Sequence, residues 1–152
     1  MEIFLYLILT IALLVLSVID IRTHKIPNEI NYLILVLGLI HVVLDNQNWR
    51  EYVSGFFMIS GPLALLLLLS KGKVIGGGDV KLMAVAGLML GCKKIVLAFL
   101  IGCMVGSVIH IVRMKVAGAG RVFAMGPYLS LGIWVSMLWG NSLIAWYQNQ
   151  MF

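Results

Sequence analysis

Charge is what this sequence has least of. Only 11% of its 152 residues are Asp, Glu, Lys or Arg, against about a quarter in soluble domains. In their place 62% are apolar, and the mean hydropathy is +1.06. A core of this size cannot hide so much apolar surface from water. An ordinary water-soluble domain is therefore excluded, and lipid is the solvent for most of the chain.

Other absences narrow the function. The two cysteines, Cys92 and Cys103, fall about 16 Å apart on a helix, too far for a disulfide. No CxxC pair and no His/Cys cluster marks a metal site. The net charge is +5, but no basic run and no set of stacking aromatics accompanies it, so nucleic acid is not an expected partner. His24, His41 and His110 are scattered, and no serine lies in a nucleophile-elbow pattern. No Lys or Arg precedes the first apolar run, and Ser17–Asp20 does not resemble a small-x-small cleavage site. That run reads as a first span, not a secretory signal.

What is present is a series of apolar segments: Ile3–Ile21, Ile30–Leu44, Tyr52–Leu69, Val80–Leu90, Ile95–Val112 and Val122–Tyr147. A full crossing takes about 20 residues, which suits the first, third, fifth and sixth. The second is short. The fourth spans only if Val74–Gly78 descends with it, and irregular backbone at that depth needs protein or water around it. The expected fold is all-α, a polytopic membrane protein of about six transmembrane helices. The fourth is short and preceded by a Gly-rich loop, and residues 1–152 form one membrane-embedded domain.

Six crossings put both termini on one side and three loops on the other. Those loops and their flanks hold Arg22, Lys25, Lys71, Lys73, Lys81, Arg113, Lys115 and Arg121, against Arg50, Lys93 and Lys94 opposite. By the positive-inside rule the richer side is cytoplasmic and the termini lie outside. Asp20, Asp79 and the start of the last span then share the cytoplasmic side.

Both acids are out of place in such a chain. Asp20 ends an uncharged run, where the negative end of the helix dipole disfavours a carboxylate. Either it sits among headgroups paired with Arg22 or Lys25, or it faces a polar cavity. Asp79 follows Gly76, Gly77 and Gly78, whose bare backbone admits another chain beside a carboxylate. It is placed equally well to cap a helix. Two carboxylates at one membrane depth resist joint ionisation and share a proton, the arrangement that aspartyl proteases use. The ionised member takes a proton from the attacking water while the other donates to the scissile carbonyl oxygen.

Three stretches then carry a family likeness. Asp20-Ile-Arg-Thr-His-Lys-Ile-Pro27-Asn28, Gly76-Gly77-Gly78-Asp79-Val80-Lys81 and Phe123-Ala-Met-Gly126-Pro127-Tyr-Leu-Ser-Leu-Gly132 together resemble the type IV prepilin peptidases, intramembrane GxGD aspartyl proteases. The resemblance implies Asp20 and Asp79 as the catalytic pair, with Gly76, Gly77, Gly78, Lys81, Pro27, Asn28, Gly126 and Pro127 shaping the site. It implies removal of the short basic leader from pilin-like precursors after a glycine, at the cytoplasmic face, without metal or cofactor. Larger members add a cytoplasmic domain with paired CxxC motifs, associated with N-methylation. Ile21 to Ile30 leaves no room for it, so no methyltransferase activity is expected, as in the compact tight-adherence (Flp-type) and archaeal preflagellin peptidases.

The supporting residues have plainer readings too. Pro27 and Asn28 fit a turn and N-cap for the second span. Lys81 either holds a carboxylate ionised or snorkels to the headgroups. Gly126 and Pro127 either loosen the last helix beside the acids or open its first turn. Glu29 either meets the basic leader or is a solvated loop acid. Trp139 and Trp146 read as interface residues near the outer end. The rival functions are a proton- or cation-coupled transporter, whose acids belong nearer the midplane between repeats, and a non-catalytic pilus assembly protein. The oligomeric state is open.

Overall fold

A computed structural model describes residues 2–73, 75–117 and 124–151. It is helical throughout, in the order α1 (Glu2–Thr23), α2 (Asn28–Leu44), α3 (Trp49–Leu69), α4 (Gly77–Leu90), α5 (Cys92–Ala117) and α6 (Gly126–Met151). Helices α1, α3, α5 and α6 are long and apolar enough to cross a membrane, and α2 is a shorter apolar helix. The six expected segments are thus six helices. Val74, Arg121, Val122 and Phe123, which figured in the expected fourth and sixth segments and the charge count, lie outside the described residues.

Helix α4 is the hub. It packs against α2, α3, α5 and α6, while α1 packs against α6 and α2. Every residue from Leu82 to Leu90 is buried. That explains why this 14-residue segment is apolar all round yet too short to cross the bilayer: its solvent is the other helices. The expected loop before it is shorter than the sequence suggested, because Gly77 and Gly78 already belong to the helix.

Apolar surface drives no association between helices in lipid, so close packing must do it, and small residues allow that. Gly55 and Gly87 bring α3 against α4 so tightly that a Cβ on Gly55 would stand 2.6 Å from the Gly87 carbonyl oxygen, and one on Gly87 would strike the Gly55 carbonyl. A Cβ on Gly38 would lie 2.9 Å from the Leu88 Cβ, and one on Gly102 3.0 Å from the Tyr128 carbonyl. These contacts seat α2 and α3 on α4, and α5 on α6. They set where the last turn of α1, the first turn of α4 and the first turn of α6 meet. Trp139 and Trp146 are exposed on α6, as expected of lipid-facing or interfacial residues.

Candidate active site

Asp20 lies in the last turn of α1 and is buried, with 4% of its surface exposed. It is not the headgroup-paired acid of the plainer reading, since Arg22 and Lys25 are exposed. Its partner comes from the other end of the chain: the Gly126 backbone N–H donates to Asp20 Oδ2 at 2.9 Å. Local chemistry leaves that donor free. Pro127 has no N–H, and the Tyr128 and Leu129 amides donate to the Met125 carbonyl at 3.2 and 3.1 Å. The Gly126 amide is then the tip of α6, where the partial positive charge of the dipole favours an anion.

Glycine is required at 126 because a Cβ there would stand 2.5 Å from Asp20 Oδ2. Pro127 sits in the first turn of a continuous α6. Of the two readings left open for it, the structure takes the first-turn one, and no helix is loosened.

Asp79 is the third residue of α4 and half-buried. Gly76 stands at the cap position, with no side-chain cap bond there, so Asp79 is a first-turn acid and not the cap. Its amide donates to the Gly76 carbonyl at 3.2 Å. A Cβ on Gly76 would lie 3.1 Å from Asp79 Oδ2, and one on Gly78 would lie 2.8 Å from Ile26 Cβ. Gly77 has more room, its nearest neighbour being Leu67 Cδ2 at 3.9 Å. The glycines therefore do two jobs, admitting the α1–α2 turn against α4 and leaving Asp79 uncovered.

Asp20, Asp79, Gly76, Gly77 and Gly78 all line one cavity of about 340 Å³, completed by His24, Lys25 and Ile26. His24 closes α1 in a left-handed conformation, φ 51°, with its amide on the Asp20 carbonyl at 2.8 Å. This turn carries Lys25 and Ile26 back over the acids. Sequence reasoning missed Ile26 and Lys25 as lining residues, because only their contact with the glycine segment marks them. Two carboxylates opening on one chamber can perform general acid–base hydrolysis.

The other expected residues lie around this chamber and not in it. Lys81 donates from Nζ to Asn28 Oδ1 at 3.0 Å. It lines a separate cavity between α2, α3 and α4 with Asn28 and the buried Asn31. Neither reading left open for Lys81 named this partner. Asn28 is the first residue of α2 and Pro27 holds the cap position, φ −63° and ψ 135°, without a side-chain cap bond. The expected Asn28 cap is corrected: its carbonyl oxygen is spent on Lys81. Among the described residues no group of three or more His, Cys, Asp or Glu side chains is placed to hold a metal ion.

The chain is similar to known peptidases. The profile of the type IV leader peptidase family matches residues 7–111. A prepilin leader peptidase/N-methyltransferase of Stutzerimonas stutzeri is 33% identical over 149 residues, covering 93% of this chain and 51% of that protein. Proteins of the same name from Pseudomonas aeruginosa and Legionella pneumophila are 30% and 31% identical, each covering more than nine-tenths of this chain. The chain spans about half the length of the curated relatives it matches. No solved structure matches it significantly.

Proposed function

The chain belongs to the type IV leader peptidase family, and on that premise we propose that it is an aspartyl endopeptidase that removes the leader from type IV pilin-like precursors. Asp20 and Asp79 are its catalytic pair. The observation that carries this reading is the shared chamber, which receives one carboxylate from α1 and one from α4 beside three glycines.

With one proton shared between the acids, the ionised carboxylate takes a proton from a water molecule as that water attacks the scissile carbonyl carbon. The protonated carboxyl donates to the carbonyl oxygen. As the tetrahedral intermediate collapses, the carboxyl proton passes to the leaving amine nitrogen while a hydroxyl of the intermediate returns its proton to the other carboxylate, and the pair is again singly protonated. The Gly126 amide, engaged with Asp20 Oδ2, holds that carboxylate in place, leaving Oδ1 to face the water. The bare backbone at Gly76, beside Asp79, accepts the extended peptide at the cleavage point, which falls after a glycine. The protein lies in the cytoplasmic membrane with this chamber facing the cytoplasm and both termini outside, as the distribution of Lys and Arg supports.

Peptidase activity stands alone in this proposal. The link from Thr23 to Asn28 is a short turn with no inserted domain, which supports a peptidase that does not itself methylate the new N-terminus. The transporter reading is not favoured, since both acids lie at helix ends on one chamber and the relatives are named as peptidases.

The test is co-expression of a tagged pilin-like precursor with wild type, Asp20→Asn and Asp79→Asn, with the product read by mass spectrometry. Cleavage after a glycine by wild type alone, with both variants membrane-inserted, supports the pair. Normal cleavage by either variant removes it.

A further inference from the structure

A second cavity, of about 310 Å³, opens between α1 and α6. Its walls are Thr10, Leu13, Leu14 and Ser17 on α1, facing Pro127, Ser130, Leu131 and Trp134 on α6. It lies beside the catalytic chamber along both walls. Ser17 lies one turn below Asp20, and Pro127 follows the glycine whose amide holds that acid. Each wall covers eight residues of helix, a rise of about 10 Å or two turns.

The groove carries no charge. The acid chamber has His24 and Lys25 in its lining, and the cavity on the other side of α4 has Lys81. Thr10 and Ser17 spend their hydroxyls on the Tyr6 and Leu13 carbonyls of their own helix, at 2.8 and 2.7 Å, and so present carbon to the groove. Ser130 differs: it is 4% exposed and its Oγ has no hydrogen-bond partner.

We infer that this groove docks the apolar helix of the precursor, over the first two turns after the scissile bond. The inference rests on the peptidase reading above. A substrate helix that stays in lipid needs an uncharged wall beside the acids, and this groove ends one turn from Asp20 on α1 and one residue from Gly126 on α6. A helix that starts at the cleavage point also brings first-turn N–H groups with no partner inside the helix. In lipid such donors are costly, and Ser130 Oγ is a free acceptor one turn below the acid. The groove thereby selects precursors whose first seven or so residues after the cut are apolar on one face. Trp134 closes the far end.

The experiment uses Leu14→Trp and Leu131→Trp, two positions that are 63% and 43% exposed and so tolerate a larger side chain without repacking the core. Each variant is assayed on the full precursor and on a soluble peptide with the same leader and cleavage point but no apolar helix. Both variants are expected to raise KM for the full precursor about tenfold, the scale of a reshaped apolar pocket, while cleaving the peptide at the wild-type rate. In an Asp79→Asn background, a photo-crosslinking residue at Leu131 attaches to the first two turns of the precursor helix, and one at Leu65 on α3 does not. An unchanged KM for the full precursor, equal losses on both substrates, or equal crosslinking from Leu65 overturns the groove. Failure of wild type to cut either substrate instead overturns the peptidase reading.

Discussion

The Gly126 amide donates to Asp20 Oδ2 across 106 positions of sequence, at 2.9 Å in a buried setting. The same glycine leaves no room for a side chain, since a Cβ would stand 2.5 Å from that oxygen. Donor and missing side chain act together: the first fixes the carboxylate, and the second lets α6 approach closely enough to do so.

Gly126→Ala is therefore expected to push Asp20 aside and lower cleavage by about 100-fold, the cost of a displacement near 1 Å at a reacting group. Gly77→Ala, whose Cβ meets nothing nearer than 3.9 Å, should stay within about threefold of wild type, because a Cβ in ordinary contact disturbs little. Initial rates on one precursor, normalised to inserted enzyme, decide it. Equal losses would show that both glycines serve chain flexibility instead.

A Cβ on Gly78 would meet Ile26 Cβ at 2.8 Å. Gly78→Ala should therefore lift the α1–α2 turn from α4 and destabilise the protein by about 1–3 kcal/mol, the usual cost of overpacking. Ile26→Ala in the same chain should restore most of that loss. Thermal midpoints of the two single variants and the double variant in one detergent measure the coupling. Simple additivity would separate the two residues.

The α3–α4 contact should be among the least forgiving in the bundle. Gly55→Ala puts a Cβ 2.6 Å from the Gly87 carbonyl oxygen, against backbone that cannot swing away as a side chain does. A loss of about 2 kcal/mol or more is expected, read as a lower unfolding midpoint. Gly61→Ala on the same helix, with nothing within 4 Å, should match wild type or exceed it slightly, since alanine is the better helix former.

Asp45, in the turn after α2, accepts hydrogen bonds from the Tyr52 hydroxyl at 2.6 Å and from Asn48 at 3.2 Å. These bonds, the Tyr52 one first, hold its carboxyl below the ordinary value of 3.8. A depressed folded value means that the stabilisation is complete above the unfolded value and is lost as pH falls through the folded one. Midpoints of wild type and Tyr52→Phe should thus differ near neutral pH and converge as pH falls through the depressed carboxyl value, by a small amount because the carboxylate is open to water. A gap that is the same at every pH would assign the Tyr52 effect to packing against His41.

Helix number, approximate bounds and the convergence of Asp20 with Asp79 were legible in the sequence. Runs of apolar residues measure helices directly in lipid, and counting crossings decides which ends meet. Errors arose where a short polar residue had two possible partners. Asn28 is a good cap by type, yet Lys81 from α4 takes its carbonyl oxygen. Pro127 was no error but an open choice between a loosened helix and a first turn, and only the start of α6 at Gly126 separates the two.

The sequence by itself determined that this is a polytopic helical membrane protein with two acids at one end, because hydropathy and charge are local properties summed along the chain. The tertiary structure decided the rest. It made α4 the buried hub, turned the Gly126 amide toward Asp20, folded Ile26 onto Gly78, and opened an uncharged groove between α1 and α6. Each of these depends on how closely two backbones approach, and that distance is set by glycines whose partners lie dozens of residues away.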